Sequence, residues 1–518
     1  MDLVCGQTLE VAADAGDAVV LRSAPPGLLS LPPELLARIE APLDKESIVS
    51  YISTCRRLRG AGTRTLLWQH PVILTTAAGL RSFCRFMHAD LLDRKRFLRS
   101  FTLDTPFPSP EQVIALRRRL AEILVNAPGL AYLEFGRCLA DILEHSPALF
   151  SAIHSLRSLT SLKIGAETGT WSYTILRVYN APLTALDVMG DSVIDAPNVF
   201  ARYASTLQSL TLGGPSLREM LGPTTYMNVT SFTWYGRPLE QAWGISTMIS
   251  SFPNLEKLSA WMGPASTPSP PFILPMYEIV RSRNATAQSQ RRWPRLRSLS
   301  GDSKALFTLI AADCEVDTMS IFANLEPWDS TMLVCKIVRD LRHPLHTLHL
   351  QFCSAWPHGS AERLSASLLG ELVRRDVPLE VDTLVVELIV PSGASWRKIM
   401  NILAGWPIVM GRIAPRYILL HVHVEPSEPR WNWLPQSTAA EEFVQDEHIF
   451  RMGETIGASA RTTEAIYIRT SWNGGKKTTW WENVSGPRLE VRFIQLTEAA
   501  FGDEAEQTVD GILSSLLQ

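Results

Sequence analysis

The sequence predicts an α/β repeat solenoid preceded by a short helical segment, and two observations lead to this prediction. From residue 98 onward the chain repeats an apolar residue followed by others three and five positions later, as in Leu130-Leu133-Phe135. Helical patterns such as 112–125 lie between these fragments. Because one strand and one helix cannot bury an apolar face alone, neighbouring units must stack, with a parallel sheet on the concave face and helices outside.

The repeated fragments continue irregularly to about residue 470, and successive ones start 20 to 41 residues apart. This range brackets the spacing of about 20–29 residues expected of leucine-rich repeats. The longest interval contains a proline-rich stretch and a polar, basic run up to Arg292, which together predict a loop insertion near 262–293. We therefore assign residues 98–470 to an irregular leucine-rich-repeat-like solenoid and residues 471–518 to a C-terminal cap.

Composition excludes several classes of function. The 518 residues carry a net charge of −3, so the chain lacks the basic field that nucleic-acid binding requires. No stretch approaches the roughly 18 apolar residues of a membrane span, and the N-terminus lacks the pattern of a secretory signal. Seven cysteines without a CxxC pair indicate reduced thiols. We expect a soluble protein of the cytoplasm and/or nucleus, without nucleic-acid or membrane partners.

The N-terminal part divides into three pieces. Residues 1–27 are rich in small side chains and predict a flexible tail. Residues 28–74 predict three short helices, the first opened by paired prolines and the second capped by Asp44. Residues 75–97 predict a linking helix. Three short helices form too small a core to stand alone, so we expect much of their apolar surface to dock elsewhere.

The apolar positions of residues 28–74 carry a family resemblance. Leu31-Pro32-Pro33-Glu34-Leu35, Ile39, Leu43, Ile48, Cys55-Arg56-Arg57-Leu58 and Trp68 occur in the order and spacing of the F-box motif. With the repeats behind it, the chain resembles the divergent leucine-rich-repeat F-box proteins abundant in fungi. The resemblance implies a substrate receptor of an SCF-type cullin-RING ubiquitin ligase, with no catalytic residue, cofactor or metal ligand of its own.

The same resemblance implies the residues that bind the Skp adaptor, through which the cullin assembly is reached. These adaptor-binding residues are Leu31, Pro32, Leu35, Ile39, Leu43, Ile48, Leu58 and Trp68. Glu40 departs from the motif, which usually has an aromatic or aliphatic residue there, so one anchoring contact is expected to be missing.

A structural role is the main alternative, and an enzyme of an unrecognised type is a third. Repeat arrays need capping units, and the F-box-like segment could be the N-terminal cap of a non-catalytic scaffold. The two hypotheses make opposite predictions for three side chains. If Leu35, Ile39 and Trp68 are buried against the solenoid, they are unavailable to an adaptor.

Strand alternation predicts the side chains of the concave face, where an unidentified target protein would bind. The residue between the inward pair of each strand would line it with mixed polarity, as at Asp104, Glu134, Lys163, Asp187, Thr211, Thr233, Ser259 and Ser300. Tyr235, Trp261 and Phe322 follow the inward pairs of three repeats, and exposed aromatics beside polar groups are typical of interface hot spots. We predict these three as target-binding residues; the alternative is that they pack beneath adjacent loops.

Histidines form the one cluster that raises the question of a metal. His349 faces outward on its strand, and His421 and His423 share the outward face of another. One strand, at 381–388, lies between, which separates the two groups by about 10 Å. We expect solvated histidines on the concave face rather than zinc ligands.

Overall fold

The computed structural model describes residues 31–104, 110–136, 146–165, 171–189, 196–214, 216–236, 244–262, 274–293, 295–309, 315–324, 328–353, 364–373, 379–391, 405–413, 415–425, 453, 455–458, 463–472, 475–482 and 492–494. Within them, sixteen strands form one sheet in which each strand pairs with its neighbours in chain order. The first fourteen strands are parallel, and the last two pairings are antiparallel. This arrangement is an α/β solenoid, as the sequence predicts.

The strands are short in the first half of the sheet and longer in the second. They are β1 (Val72–Leu74), β2 (Ser100–Leu103), β3 (Tyr132–Phe135), β4 (Ser161–Ile164), β5 (Ala185–Met189), β6 (Ser209–Gly214), β7 (Ser231–Gly236), β8 (Lys257–Met262), β9 (Leu296–Asp302), β10 (Val316–Asn324), β11 (Leu345–Cys353), β12 (Val381–Pro391), β13 (Tyr417–Glu425), β14 (Ala465–Trp472), β15 (Gly475–Glu482) and β16 (Arg492–Ile494).

Helices precede the sheet and connect its strands. They are α1 (Pro33–Glu40), α2 (Lys45–Thr54), α3 (Arg56–Gln69), α4 (Ala77–His88), α5 (Leu91–Arg94), α6 (Pro110–Val125), α7 (Pro147–Ser155), α8 (Trp171–Val178), α9 (Ala196–Ala201), α10 (Leu217–Leu221), α11 (Ile245–Ser251), α12 (Leu274–Gln290), α13 (Ser303–Leu309), α14 (Trp328–Asp340), α15 (Leu364–Val373) and α16 (Trp406–Ile413). A 3-10 helix, Lys95–Phe97, follows α5. Residues 75–97 therefore contain two helices and a 3-10 turn.

The core lies between the sheet and the helices. In β3, for example, Leu133 and Phe135 are fully buried, whereas Tyr132 and Glu134 face the other side and are half-buried. Helices contribute the opposite wall, as Leu120 and Leu124 do from α6, and one continuous apolar cluster extends from Leu67 in α3 to Ile468 in β14. The repeated pattern of apolar residues is thus the pattern of one shared core, consistent with a leucine-rich-repeat-like solenoid.

Polar side chains join successive repeats at the turns that precede the strands. The Tyr179 hydroxyl donates to the Leu156 carbonyl at 2.6 Å, and the Tyr203 hydroxyl donates to the Tyr179 carbonyl at 2.7 Å. The Trp293 indole nitrogen donates to the Phe252 carbonyl at 2.8 Å. Each bond joins a side chain of one repeat to a carbonyl of the preceding repeat in the protein interior, so the repeats depend on one another.

The expectation of a loop across 262–293 is wrong for residues 274–290, which form α12. The buried positions of this helix include Asn284 and Gln288. The Asn284 amide donates to the Thr308 carbonyl at 2.8 Å, and the Gln288 amide donates to the Leu309 carbonyl at 2.7 Å. These two side-chain amides satisfy C-terminal carbonyls of α13 and so anchor α12. A search for apolar periodicity cannot detect a helix that is anchored by polar side chains.

The F-box-like segment has a small core of its own and also joins the solenoid. Leu36, Ile48 and Leu58 from α1, α2 and α3 are buried outside the solenoid cluster. Gly62 permits the close approach of α2 to α3, because a Cβ there would lie 2.5 Å from Cγ2 of Ile52. The end of the segment, Val72–Leu74, is β1, the first strand of the sheet.

The predicted tail, residues 1–27, and the final residues 495–518 lie outside the described residues. β15 and β16 end the sheet antiparallel to its other strands, within the stretch predicted as a C-terminal cap. Whether they serve as a cap stays a prediction.

Candidate functional site

Two surfaces hold the residues that the sequence singled out: the outer face of the N-terminal helices and the concave face of the sheet. On α1, Leu36 is buried, whereas Leu35 and Ile39 are 42% and 38% exposed. Pro32 precedes the helix and is exposed. α1 therefore packs with one face against α3 and presents an apolar stripe on the other.

α2 and α3 complete this unit. Asp44 caps α2 by accepting a hydrogen bond from the Ser47 amide at 2.7 Å, which lowers the pKa of the Asp44 carboxyl. Near the end of α3, Leu67 is buried in the solenoid core, whereas Trp68 is 52% exposed. The Arg99 guanidinium lies over the Trp68 ring at 3.7 Å from its centroid, so a cation–π contact holds this exposed ring in place.

The predicted adaptor-binding residues fall into three environments. Pro32, Leu35, Ile39 and Trp68 are exposed, Leu31 and Leu43 are half-buried, and Ile48 and Leu58 are fully buried in the core of the segment. Leu35, Ile39 and Trp68 are the three side chains on which the adaptor and cap hypotheses differ, and none of them is buried against the solenoid. Their role in binding stays a prediction.

Glu40 does not lie on the exposed face of α1. It is 1% exposed, and the Thr65 hydroxyl of α3 donates to its Oε2 at 2.6 Å. Burial, and to a lesser degree the facing Glu40 carboxylate, raise the pKa of the Tyr51 hydroxyl to about 12. Glu40 is therefore an internal polar link between α1 and its neighbours, which the sequence pattern alone did not distinguish from a missing surface contact.

On the concave face, the three predicted target-binding aromatics contact one another. Tyr235 and Trp261 stack with ring centroids 6.4 Å apart, and Trp261 meets Phe322 edge-on at 5.8 Å. All three are half-buried. We call them the aromatic row. The alternative, that they pack beneath loops, concerns residues 237–243, 263–273 and 325–327, which lie outside the described residues.

The aromatic row is continuous although β9 lies between β8 and β10. The residue of β9 at this position is Asp302, which pairs in register with Phe322. Its side chain turns inward and accepts hydrogen bonds from the backbone amides of Met262, Lys304 and Ala305. Burial raises the pKa of Asp302. Because Asp302 caps α13 instead of standing between the rings, Trp261 and Phe322 can touch.

The polar row predicted beside the aromatics is present, with one change. Strand register aligns Thr102, Glu134, Lys163, Asp187, Thr211, Thr233, Ser259, Ser300, Ser320 and His349 across ten strands. Thr102, not Asp104, therefore occupies this row in β2.

The N-terminal part of the polar row is an ionic cluster. The Lys163 ammonium lies 2.8 Å from Oε1 of Glu134, and the Tyr132 hydroxyl donates to Oε2 at 2.7 Å. Burial alone would raise the pKa of Glu134, but these hydrogen bonds outweigh it and lower that pKa. Burial raises the pKa of Asp187 to about 6, and its Oδ1 has no hydrogen-bond partner among the described residues. Two carboxyls of this face, one on either side of Lys163, thus have opposite environments.

The C-terminal part of the concave face carries a ladder of hydrogen-bonding side chains, which we call the imidazole ladder. His421 lies with Nδ1 3.2 Å from Oε1 of Glu387 and with Nε2 3.0 Å from the Ser471 hydroxyl. The same hydroxyl lies 2.7 Å from Nδ1 of His423. Nε2 of His349 is 3.5 Å from Oε2 of Glu387. The two imidazoles beside it lower the pKa of Glu387 to about 2.

Sequence reasoning found the three histidines of this ladder but missed Glu387 and Ser471, which join them. The signal was present, since both residues occupy outward positions of β12 and β14 in the alternation that was applied to the histidines. All three histidines are half-buried, which corrects the expectation of solvated side chains. His421 and His423 are hydrogen-bonded to Ser471, and His349 lies within ion-pair distance of Glu387. Among the described residues, no group of three or more His, Cys, Asp or Glu side chains is placed to hold a metal ion.

The fold and these surfaces define a class: an α/β solenoid with a helical N-terminal unit that exposes apolar side chains. Residues 28–74 match the family model described as F-box-like. The match covers α1, α2, α3 and β1, so it confirms the F-box resemblance of the N-terminal segment. No curated protein matches the chain. None of the helices in the described part of the chain is long and apolar enough to cross a membrane.

Proposed function

We propose that this protein is the substrate-recognition subunit of an SCF-type cullin-RING ubiquitin ligase, related to the leucine-rich-repeat F-box proteins of fungi and acting in the cytoplasm or nucleus. One observation carries the proposal: Leu35, Ile39 and Trp68 of the F-box-like segment are exposed while Leu67 in the same segment is buried in the solenoid. The segment can therefore be fixed to the solenoid and still offer an apolar face to the Skp adaptor.

No chemistry takes place on this chain. The adaptor and cullin hold a ubiquitin-charged enzyme at one end of the assembly, and the solenoid holds a target protein on its concave face. Rigid attachment matters here, because positioning a target lysine near the charged enzyme raises the effective concentration of the two groups. The hydrogen bond from the Arg99 amide to the Leu67 carbonyl, 3.3 Å, is one of the contacts that make the attachment rigid.

A scaffold with an N-terminal cap is the second candidate, and a specific observation favours it. Leu67 closes the apolar end of the repeats and β1 begins their sheet, as a capping unit must. A cap has no need of exposed apolar side chains, however, and exposing Leu35, Ile39 and Trp68 to water is unfavourable unless a partner covers them. We therefore favour the ligase subunit.

The test is a pull-down of the full-length protein with the purified Skp adaptor, compared with a Leu35→Asp/Ile39→Asp double variant. Covering the exposed parts of these two side chains is worth about 2 kcal/mol each at about 25 cal/mol/Å², so we expect the double variant to bind on the order of 1,000-fold more weakly. The control is Leu92→Asp, which introduces one charge of the same sign at a side chain of α5 that is 75% exposed and lies outside the segment.

Circular dichroism must show the same spectrum for all three proteins. Binding by the parent and by Leu92→Asp, but not by the double variant, supports the proposal. If neither the parent nor the variants bind, residues 28–74 act as a cap and the ligase proposal is wrong.

A further inference from the structure

The aromatic row continues directly into the imidazole ladder. In strand register, Phe322 of β10 pairs with Gln351 of β11, and Gln351 pairs with Glu387 of β12. Trp261 contacts Phe322 on the other side. A molecule lying across the strands along this line would meet an apolar surface first, then an amide, then a carboxylate.

The distance between these features fits an extended peptide. Phe322 and Glu387 are two strand spacings apart, which is about 10 Å. An extended chain advances about 3.3 Å per residue, so about three residues separate a side chain over Phe322 from one that reaches Glu387. A target segment in this orientation would run across the strands rather than add to the sheet.

Beside the aromatic row lies a floor of small hydroxyl side chains, Thr233, Ser259, Ser300 and Ser320, in consecutive register positions. The Ser259 and Ser300 oxygens are 2.6 Å apart. Hydroxyls both donate and accept, as a peptide backbone requires, and their small size leaves room next to the aromatic rings. The combination of an aromatic wall and a hydroxyl floor suits a backbone with one large side chain.

The carboxylate at the end of this line is accessible and fixed. The Glu387 side chain is 23% exposed, and the imidazoles of His421 and His349, at 3.2 and 3.5 Å, orient it. The low pKa of Glu387 means that the group is ionised throughout the physiological pH range. A fixed, ionised carboxylate at a binding surface is complementary to an arginine or lysine.

We propose that the concave face binds an extended peptide segment in which an aromatic or large apolar residue packs on Tyr235, Trp261 and Phe322 and an arginine or lysine about three residues away pairs with Glu387. That this segment belongs to a ubiquitination target rests on the proposed function. The binding chemistry itself does not depend on it.

The experiment is a selection of random twelve-residue peptides displayed on phage against the immobilised full-length protein. We expect enrichment of peptides with an aromatic residue and a basic residue at a spacing near three. The tightest-binding peptide, labelled with fluorescein, is then titrated against the parent, Trp261→Ala, Glu387→Gln and Glu219→Gln by fluorescence polarisation. Trp261→Ala and Glu387→Gln should each weaken binding at least tenfold, whereas Glu219→Gln, the same chemical change at an exposed position of α10 outside the concave face, should leave it unchanged.

A peptide in which the basic residue is replaced by glutamine separates a direct ion pair from a general effect. On the parent this peptide should lose about tenfold in affinity, and on Glu387→Gln it should lose nothing further. No enrichment, enrichment of acidic peptides, equal effects of Glu219→Gln and Glu387→Gln, or self-association of the protein through this face in sedimentation would each overturn the proposal.

Adaptor binding distinguishes this inference from the proposed function. The Leu35→Asp/Ile39→Asp variant should bind the selected peptide like the parent, because its changes lie outside the concave face. If peptides bind but the Skp adaptor does not, the ligase proposal fails and the peptide site stands. If the adaptor binds but no peptide does, this inference alone fails.

Discussion

Replacing Asp187 with asparagine should stabilise the protein at neutral pH, although Asp187 lies in the candidate binding face. Burial raises its pKa from the ordinary 3.8 to about 6, and Oδ1 has no hydrogen-bond partner among the described residues. A carboxyl whose pKa is higher in the folded state costs the fold nothing below its unfolded pKa, where it is protonated in both states. As pH rises through the folded pKa, its ionisation becomes increasingly unfavourable to folding. For Asp187 this cost is therefore absent below about pH 4 and complete above about pH 6.

Raising the pKa of Asp187 from 3.8 to about 6 costs the folded state about 3 kcal/mol at neutral pH, or about 2 kcal/mol after allowance for partial exposure. Asp187→Asn should therefore raise the free energy of unfolding by about 2 kcal/mol at pH 7.5 and by almost nothing at pH 4. Urea unfolding followed by circular dichroism at the two pH values measures both differences.

Glu134→Gln is the matched control, because it neutralises a neighbouring carboxyl of the same face. The contacts of Glu134 with Lys163 and Tyr132 lower its pKa, so its ionised form stabilises the fold and its loss should destabilise the protein at pH 7.5. Opposite signs for the two variants support the electrostatic account of the N-terminal cluster. A destabilising Asp187→Asn at pH 7.5 would refute it.

Three other predictions concern single positions and can be checked on the full-length protein. Gly60→Ala should stabilise α3 by up to about 1 kcal/mol, because no atom lies within 4 Å of the added Cβ. Gly62→Ala should destabilise the protein, because the added Cβ would clash with the Ile52 side chain. Thermal unfolding of the two variants tests this difference. Glu387→Gln should lower the free energy of unfolding at pH 7, because the low pKa of Glu387 means that its ionised form stabilises the fold. This destabilisation should diminish as the pH drops from 4.5 towards 2, where the carboxyl of the parent becomes protonated. Urea unfolding midpoints across that pH range measure the difference. The Ser471 hydroxyl lies 3.0 Å from Nε2 of His421, and Nδ1 of that imidazole lies 3.2 Å from Glu387, contacts that can activate a hydroxyl. Because the proposed function places no chemistry on this chain, we expect no reaction of Ser471 with a fluorophosphonate; an adduct at Ser471 in a mass spectrum would indicate a nucleophilic site.

The repeat architecture could be predicted because each strand depends on a local pattern. Because side chains alternate between the two faces of a strand, Leu133 and Phe135 point inward and Glu134 points outward. This alternation can be read from the strand's own residues without reference to neighbouring repeats. Register then aligns equivalent positions of successive strands, so Tyr235, Trp261 and Phe322 could be placed near one another from spacing alone.

Features that depend on polar partners distant in sequence could not be predicted. α12 is anchored by Asn284 and Gln288, because their side-chain amides donate hydrogen bonds to carbonyls of another helix, α13. Glu40 appeared to be a departure from an apolar pattern because its partner, Thr65, lies 25 positions away. Glu387 joins His349 to His421 across three strands, and only the paired register brings the three together.

The most direct test of the central claim, that the F-box-like segment is fixed to the solenoid yet open to an adaptor, is hydrogen–deuterium exchange of the full-length protein with and without the Skp adaptor. We expect added protection in peptides that contain Leu35, Ile39 and Trp68, and unchanged exchange in β2 to β14. Absence of new protection in those peptides, or protection confined to the sheet, would contradict the claim.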